Sequence, residues 1–117
     1  MSVHNVKVVN IRPKYVNLQK WCEDPENVYI GRRGVVFIDK IRYPLQDSIW
    51  CNPFKIGKDG DRDEVICKYE KYIRDKLEKN PVLRDELKKL KNKNLGCWCA
   101  PDKCHGDILL KILHEDE

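Results

Sequence analysis

The chain has 117 residues, enough for one domain with one hydrophobic core and too few for two. Its 23 basic and 19 acidic residues leave a net charge of +4, spread along the chain, which permits contact with phosphate but does not demand nucleic acid. No apolar run approaches the roughly 20 residues that cross a membrane, and residues 1–15 contain no apolar signal core. We therefore expect a single domain over residues 1–117, located in the cytoplasm, with no membrane partner.

Six cysteines are many for a chain of this size. In a small secreted protein they would indicate a disulfide framework. Because no secretion signal is evident and long helical patterns are present, a reducing compartment with free thiols is the better interpretation.

The first half of the chain predicts short strands. Residues 6–11 form a β-branched run typical of a buried central strand, which would place Asn10 and Arg12 at its carboxyl end. Residues 15–22 fit either a helical turn or an irregular loop, and residues 25–27 a turn. Residues 28–30 predict a second strand closed by residues 31–34, and residues 35–38 and 40–43 a small hairpin. Residues 48–55 form an aromatic-rich loop because Pro53 blocks regular structure.

The second half predicts helices around one strand. Asp61 or Asp63 caps a helix that runs to about Lys79, and Asn80-Pro81 begins another. Residues 94–99 predict a buried strand, residues 100–103 a tight loop, and Cys104 the start of an amphipathic helix. The order predicts an α/β fold, a small Rossmann-like three-layer sandwich with a partly parallel sheet.

Three separated blocks resemble a known family: residues 8–12 with 29–32, residues 48–57, and residues 96–101 with 104–107. On these blocks the chain resembles DUF4326, a family of small proteins of unknown function from phages, large DNA viruses and bacteria. The resemblance also implies a more distant likeness to the uncharacterised DUF488 family. The family usually has glycine where this chain has Cys51. The family implies no activity, so function must be inferred from the residues.

Cysteine chemistry is predicted at the last helix. A thiol at a helix N-terminus has a lowered pKa, so Cys104 is the candidate nucleophile. His105 is the candidate base and Asp107 an orienting or assisting group. The alternative is that Cys104 packs as a small hydrophobe and His105 bonds locally.

Zinc is a weaker alternative for the same segment. Cys97, Cys99, Cys104 and His105 offer four donors, but Cys-x-Cys and an adjacent Cys-His depart from the usual zinc spacings. We therefore predict no metal ligands, and we interpret Cys97 as core filling. Cys99, at the end of the strand, is assigned to the ligand site.

A second set of residues is suited to binding polar ligand groups. Guanidinium and amide groups suit phosphate, carboxylate or a nucleobase edge. The aromatic side chains that could stack a base are Trp50, Phe54 and Trp98. Trp50 fits this role and a place in the core equally well, and Phe54 fits the core better. The predicted ligand-binding residues are Asn10, Arg12, Arg32, Trp50, Asn52, Lys55 and Cys99.

These residues lead to one principal hypothesis. It is a domain that binds a nucleotide or nucleotide-derived molecule at the carboxyl edge of its sheet, with cysteine-dependent chemistry as an extension. The alternative is a non-enzymatic nucleic-acid or protein-binding module of viral or phage type, stabilised by zinc. A third interpretation is a protein that sequesters a nucleotide signal without turnover. The residues leave enzyme and non-enzyme open.

Overall fold

The computed structural model of the chain describes residues 2–99 and 102–115. The strands are β1 (Ser2–Asn5), β2 (Asn27–Tyr29), β3 (Val36–Ile38), β4 (Ile41–Tyr43) and β5 (Asn94–Cys97). The helices are α1 (Val8–Ile11), α2 (Leu18–Glu23), α3 (Arg62–Lys79), α4 (Pro81–Lys88) and α5 (His105–Glu115). None of the helices in this part of the chain combines the length and hydropathy that a membrane crossing requires.

Three strands form a parallel sheet in the order β1-β5-β2. Leu95 of β5 is in register with Val3 on one side and Val28 on the other. The strands β3 and β4 form a separate antiparallel hairpin. Its two-residue turn, Asp39-Lys40, has φ values of 52° and 69°, as a type I′ turn requires. The prediction of an α/β chain with a parallel sheet and a small hairpin is confirmed.

The central strand separates two apolar clusters. Leu95 and Cys97, which are 0% and 1% exposed, pack against α3, α4 and α5. Gly96 points toward the second cluster, which contains Val6 and Trp21. A Cβ atom on Gly96 would lie 2.5 Å from the Trp21 ring, so only glycine allows the indole this close to the strand.

Local sequence signals set the ends of the long helices. The Asp61 side chain accepts from the backbone of Glu64, whose own side chain accepts from the Asp61 backbone, which forms a capping box. The buried residues of α3 follow at helical spacing: Val65, Tyr69, Ile73 and Leu77. Asn80 caps α4. The predicted helices over this region are confirmed.

The first predicted strand is wrong. Residues 6–11 were expected to be extended, but β1 is Ser2–Asn5 and Val8–Ile11 is a helical turn. The partner strand β5 ends at Cys97, whose carbonyl accepts from Val6, so no ladder remains for the following residues. The Asn5 side chain then accepts from Lys7 and turns the chain. Tertiary pairing here outweighs the β preference of the valines.

The remaining boundaries differ by a few residues. The segment that fitted either a helical turn or a loop, residues 15–22, overlaps α2, which is capped by Asn17. The strand predicted over residues 94–99 ends at Cys97. The loop predicted over residues 100–103 falls partly outside the described residues, which resume at Asp102. Cys104 precedes the first residue of α5, His105.

Candidate functional site

A cavity of about 430 Å³ lies where β2 and β5 end and α5 begins. This is the carboxyl edge of the parallel sheet, where ligands bind in open α/β proteins. Six of the predicted site residues line the cavity: Arg32, Asn52, Lys55, Cys99, Cys104 and His105. They come from three separate segments of the chain, which the fold brings together.

Four predicted residues do not line this cavity. Asn10 lies on the exposed part of α1, and Arg12 is exposed and donates from Nε to the Val16 carbonyl at 2.8 Å. Both were placed at the site by the predicted strand over residues 6–11, which is a helical turn instead. Trp50 is 3% exposed, and its carbonyl oxygen accepts from Tyr69, so its ring is part of the core. Asp107 is not part of the lining either; its carboxylate accepts a hydrogen bond from the Cys104 backbone N–H.

Asn52 and Arg32 organise the loop that forms one wall. The buried Asn52 amide donates to the Val65 carbonyl of α3, and its Oδ1 accepts from the Phe54 backbone at 2.9 Å. The Arg32 guanidinium donates from Nε and Nη2 to the Asn52 carbonyl and from Nη2 to the Phe54 carbonyl. Nη1 of Arg32 has no hydrogen-bond partner among the described residues. Much of the binding capacity predicted for these two residues is therefore committed to the loop.

Three thiols also line the cavity; we call Cys97, Cys99 and Cys104 the thiol trio. The Cys104 side chain contacts both Cys97 and Cys99, and its single S–H is donated to one of these sulfurs at a time. Cys97 and Cys104 are 1% and 2% exposed, whereas Cys99 is half-buried. Cys97 therefore fills the core, as predicted, and also borders the cavity.

The thiol with the lowered pKa is Cys99 and not Cys104. The hydrogen bond from Cys104, followed by that from the Arg62 guanidinium, lowers the pKa of Cys99 to about 6. The hydrogen bonds to Cys97 and Cys99, together with burial, raise the pKa of Cys104. The helix N-terminus was expected to favour a Cys104 thiolate, but a buried thiol whose single S–H is donated to a neighbouring sulfur remains protonated.

His105 is held in one orientation by the end of β2. Its Nε2 lies 2.7 Å from the Ile30 carbonyl oxygen and its Nδ1 lies 3.5 Å from Cys104 Sγ. Burial lowers the pKa of His105, and Arg32 adds to this effect. Because a carbonyl only accepts, Nε2 carries the proton of the neutral ring and Nδ1 presents a lone pair to Cys104.

Asp107 completes the turn before α5. Its Oδ2 accepts from the Cys104 backbone at 3.0 Å. A carboxylate in the first helical turn that binds a preceding N–H is a favourable N-terminal interaction. Asp107 therefore positions Cys104 through its backbone.

Two basic residues of the site escaped prediction. Arg62, the first residue of α3, and Lys103 both line the cavity, and Arg62 donates to the Lys103 carbonyl at 3.0 Å. An arginine in the first turn of a helix opposes the macrodipole, and this local conflict is the signal that could have identified it. Lys103 ion-pairs with Asp63 at 3.3 Å, and both are exposed.

The cysteines are free thiols, and the described residues contain no group of three or more His, Cys, Asp or Glu side chains arranged to hold a metal ion. The family's usual glycine position, here Cys51, does not line the cavity. Cys51 is half-buried and donates from its backbone to the Ser48 carbonyl, and burial raises the pKa of its thiol.

Comparison with known proteins agrees with the residue pattern. Residues 15–115 match DUF4326, described as a domain of unknown function. The chain belongs to the DUF4326 family. It is 34% identical over 94 residues to Uncharacterized protein R718 of Acanthamoeba polyphaga mimivirus, an alignment that covers 74% of this chain and 65% of the relative. This DUF4326 chain is also 33% identical over 68 residues to the Uncharacterized 12.4 kDa protein in nrdA-td intergenic region of Enterobacteria phage T4, covering 57% of this chain and 61% of the relative.

The chain thus spans less than two thirds of the length of either viral relative. No solved structure is significantly similar to it. The likeness to DUF488 stays a prediction.

Proposed function

We propose that this DUF4326 domain binds a nucleotide or nucleotide-derived small molecule in the cavity at the carboxyl edge of the sheet. The observation that carries the proposal is the convergence of Arg32, Asn52 and Lys55 with Cys99 and His105 on one cavity. A volume of about 430 Å³ suits a small organic ligand.

The charge of the lining favours an anionic ligand. Arg32, Lys55, Arg62 and Lys103 line the cavity, and no carboxylate does so in the described part of the chain. Lys103 is partly offset by Asp63, so Lys55, Arg62 and Nη1 of Arg32 are the donors best placed for phosphate.

The apolar part of the lining favours a ring system. The side chains of Phe54, Trp98 and Ile66 border the cavity, and Trp98 is fixed because its Nε1 donates to the Tyr29 hydroxyl at 2.8 Å. Aromatic faces beside a basic group are a suitable surface for a nucleobase. Trp50, which is buried elsewhere, has no part in this proposal.

Cysteine-dependent chemistry is the second part of the proposal. The nucleophile in it is Cys99, which is half-buried at the cavity and hydrogen-bonded to Arg62. The predicted catalytic residues support Cys99. Cys104 donates a hydrogen bond to its thiolate, His105 provides an imidazole that the Ile30 carbonyl holds in place, and Asp107 positions Cys104.

Binding of AMP, ADP, NAD and ADP-ribose by isothermal titration calorimetry tests the principal proposal. We expect at least one to bind, and Lys55→Ala and Arg62→Ala each to weaken binding about 10-fold or more, as expected for loss of a charge-assisted contact. Arg33→Ala is the matched control, because Arg33 is exposed next to Arg32 but does not line the cavity. Absence of binding at millimolar concentration, or equal weakening by the control, would contradict the proposal.

A second candidate is the protein- or nucleic-acid-binding module. Its support is the β3–β4 hairpin and the segment that follows it, where Phe37, Ile41 and Leu45 are 65%, 61% and 73% exposed. Exposed apolar groups of this kind occur at protein contact sites. Steeply salt-dependent binding to DNA or RNA would favour the nucleic-acid form of this candidate over the small-molecule site, since phosphate contacts weaken with salt. Zinc bound stoichiometrically to purified protein would favour its metal-stabilised form.

We also propose that the fold is a reduced three-layer, Rossmann-like sandwich. The support is packing on both faces of β5, with Leu95 toward α3 and α5 and Gly96 toward Trp21 of α2. An experimental structure in which α2 leaves the sheet would overturn it.

The six free thiols support a reducing, cytoplasmic location. Alkylation of thiols in intact cells, followed by mass spectrometry of the protein, tests this location, and extensive disulfide formation would contradict it.

A further inference from the structure

The thiol trio contains two cysteines in unequal environments. Cys99 is half-buried and faces the cavity, whereas Cys104, its hydrogen-bond donor, is 2% exposed. Cys97 is 1% exposed within β5, and its side chain is also in hydrogen-bonding contact with Cys104. An external molecule in the cavity therefore meets the more exposed Cys99 first, and the buried Cys104, whose side chain contacts Cys99, is placed to attack a sulfur attached to Cys99.

We propose that Cys99 and Cys104 form a redox-active dithiol that reacts with small anionic disulfides, with Cys99 as the attacking thiol and Cys104 as the resolving thiol. The proposal concerns the same cavity as nucleotide binding but does not depend on it. The hydrogen bond from Cys104 and the Arg62 guanidinium both stabilise the attacking sulfur as a thiolate.

The exchange proceeds in two balanced steps. The Cys99 thiolate attacks one sulfur of the external disulfide, the external S–S bond breaks, a Cys99 mixed disulfide forms, and a thiolate leaves and takes a proton from water. Cys104 then loses its proton and attacks the Cys99 sulfur, which releases the second external thiol. Two protein thiols are oxidised and one external disulfide is reduced, a two-electron exchange.

His105 is placed to accept the proton of Cys104. Its Nε2–H donates to the Ile30 carbonyl, which leaves the unprotonated Nδ1 3.5 Å from Cys104 Sγ. Burial lowers the pKa of His105, so the ring is neutral at pH 7, and its unprotonated Nδ1 takes the proton as Cys104 attacks. The Gly106 backbone N–H, also 3.5 Å from Cys104 Sγ, stabilises the developing thiolate.

The lining identifies the class of disulfide. Lys55, Arg62 and Lys103 border the cavity beside Cys99. A disulfide that carries carboxylates, such as oxidised glutathione, is therefore favoured over the neutral 2-hydroxyethyl disulfide.

Reaction of the reduced full chain with oxidised glutathione at pH 6 and pH 8, followed by mass spectrometry, tests the proposal. At pH 6 Cys99 is about half thiolate, whereas an ordinary thiol of pKa about 8.5 is about 0.3% thiolate. Because the lower pKa also reduces nucleophilicity, we expect Cys99 to react about ten-fold faster than an ordinary exposed thiol at pH 6, with this advantage gone by about pH 8.

The wild-type product should be a disulfide between Cys99 and Cys104 without bound glutathione. Cys104→Ala should accumulate the glutathione adduct on Cys99, and Cys99→Ala should lose the fast reaction. Cys67→Ala, which changes an exposed thiol on α3, should behave as wild type. Because the disulfide is located in the wild-type protein, the test remains valid even if the Cys104→Ala variant folds poorly.

A disulfide that joins Cys97 instead, or labelling of Cys99 no faster than Cys67 at pH 6, would overturn the proposal. Equal rates with oxidised glutathione and 2-hydroxyethyl disulfide would overturn the anionic substrate class. Nucleotide binding is measured by calorimetry on the reduced wild-type protein and disulfide exchange by mass spectrometry, so failure of nucleotide binding and failure of disulfide exchange are observed in separate assays.

Discussion

The Nε2 atom of His105 lies 2.7 Å from the carbonyl oxygen of Ile30, which joins the first residue of α5 to the end of β2. Ile30 is fully buried, and its own N–H donates to Gly96 of the central strand. The helix that carries the candidate chemistry is thereby tied to the sheet edge that forms the cavity.

Replacing His105 by phenylalanine should destabilise the protein by about 1–3 kcal/mol, because the Ile30 carbonyl loses its donor in a buried position. Urea denaturation measures this change. His114→Phe, an exposed position on the same helix, should change stability by less than about 0.5 kcal/mol. Equal effects of the two substitutions would show that the Ile30 contact contributes little.

The stability of the protein should decrease on acidification from pH 7 to pH 5. Burial lowers the pKa of His105, and Arg32 lowers it further, while the Ile30 carbonyl and Asp107 oppose this. In the unfolded chain His105 has its ordinary pKa of about 6.5, so below that pH the unfolded chain binds more protons than the folded protein. The contribution of His105 to stability is therefore complete above about pH 6.5 and is lost as the pH falls below it. Urea midpoints at the two pH values should differ less in His105→Phe than in wild type. The same decrease in both would contradict the prediction.

Arg62→Gln should raise the pKa of Cys99. The guanidinium hydrogen-bonds to that thiol, and its loss should raise the pKa by about one unit if the contact contributes about 1.4 kcal/mol. The midpoint of the pH profile for iodoacetamide labelling of Cys99 measures the shift. Arg74→Gln is the matched control on α3, because Arg74 pairs with Glu70 and Glu115 and does not line the cavity. An unchanged midpoint in Arg62→Gln would assign the lowered pKa to Cys104 alone.

Tyr69→Phe should loosen the loop that carries Asn52. The buried Tyr69 hydroxyl donates to the Trp50 carbonyl at 2.7 Å, and its removal should cost about 1–2 kcal/mol. Tyr72→Phe is the control, since that hydroxyl accepts from Lys76 at an exposed site and should cost less than about 0.5 kcal/mol. Thermal or urea unfolding distinguishes them, and similar costs would refute the prediction.

Gly96→Ala should destabilise by about 1–3 kcal/mol through overpacking, because the new Cβ would lie 2.5 Å from the Trp21 ring. Near-ultraviolet circular dichroism should change with it, since the indole must move. Gly34→Ala provides a contrast: its φ is +65° and its nearest neighbour is 3.6 Å away, so only backbone strain of about 1 kcal/mol is expected. An unchanged spectrum for Gly96→Ala would show that the indole does not have to move.

Local patterns in the sequence predicted α3, α4 and α5, but not α1. The capping box of Asp61, the Asn80-Pro81 start and the apolar stripe of α3 act over a few residues, so they are visible without the fold. The position of Arg32, Lys55 and Cys99 after strands or in the proline loop likewise predicted one shared edge, because carboxyl ends of parallel strands lie together.

Tertiary structure decided the rest. The length of β1 depends on where β5 ends, so the valine run that resembled a strand became a helical turn and carried Asn10 and Arg12 away from the cavity. The pKa order of Cys99 and Cys104 depends on burial and on Arg62, which is distant in sequence. The sequence by itself determined the helices α3, α4 and α5, and it pointed to the segments of Arg32, Lys55, Cys99 and Cys104, which line the cavity. The shared hydrogen bonds of the thiols, which require atoms from β5, α3 and the start of α5 to meet, were decided only by the fold.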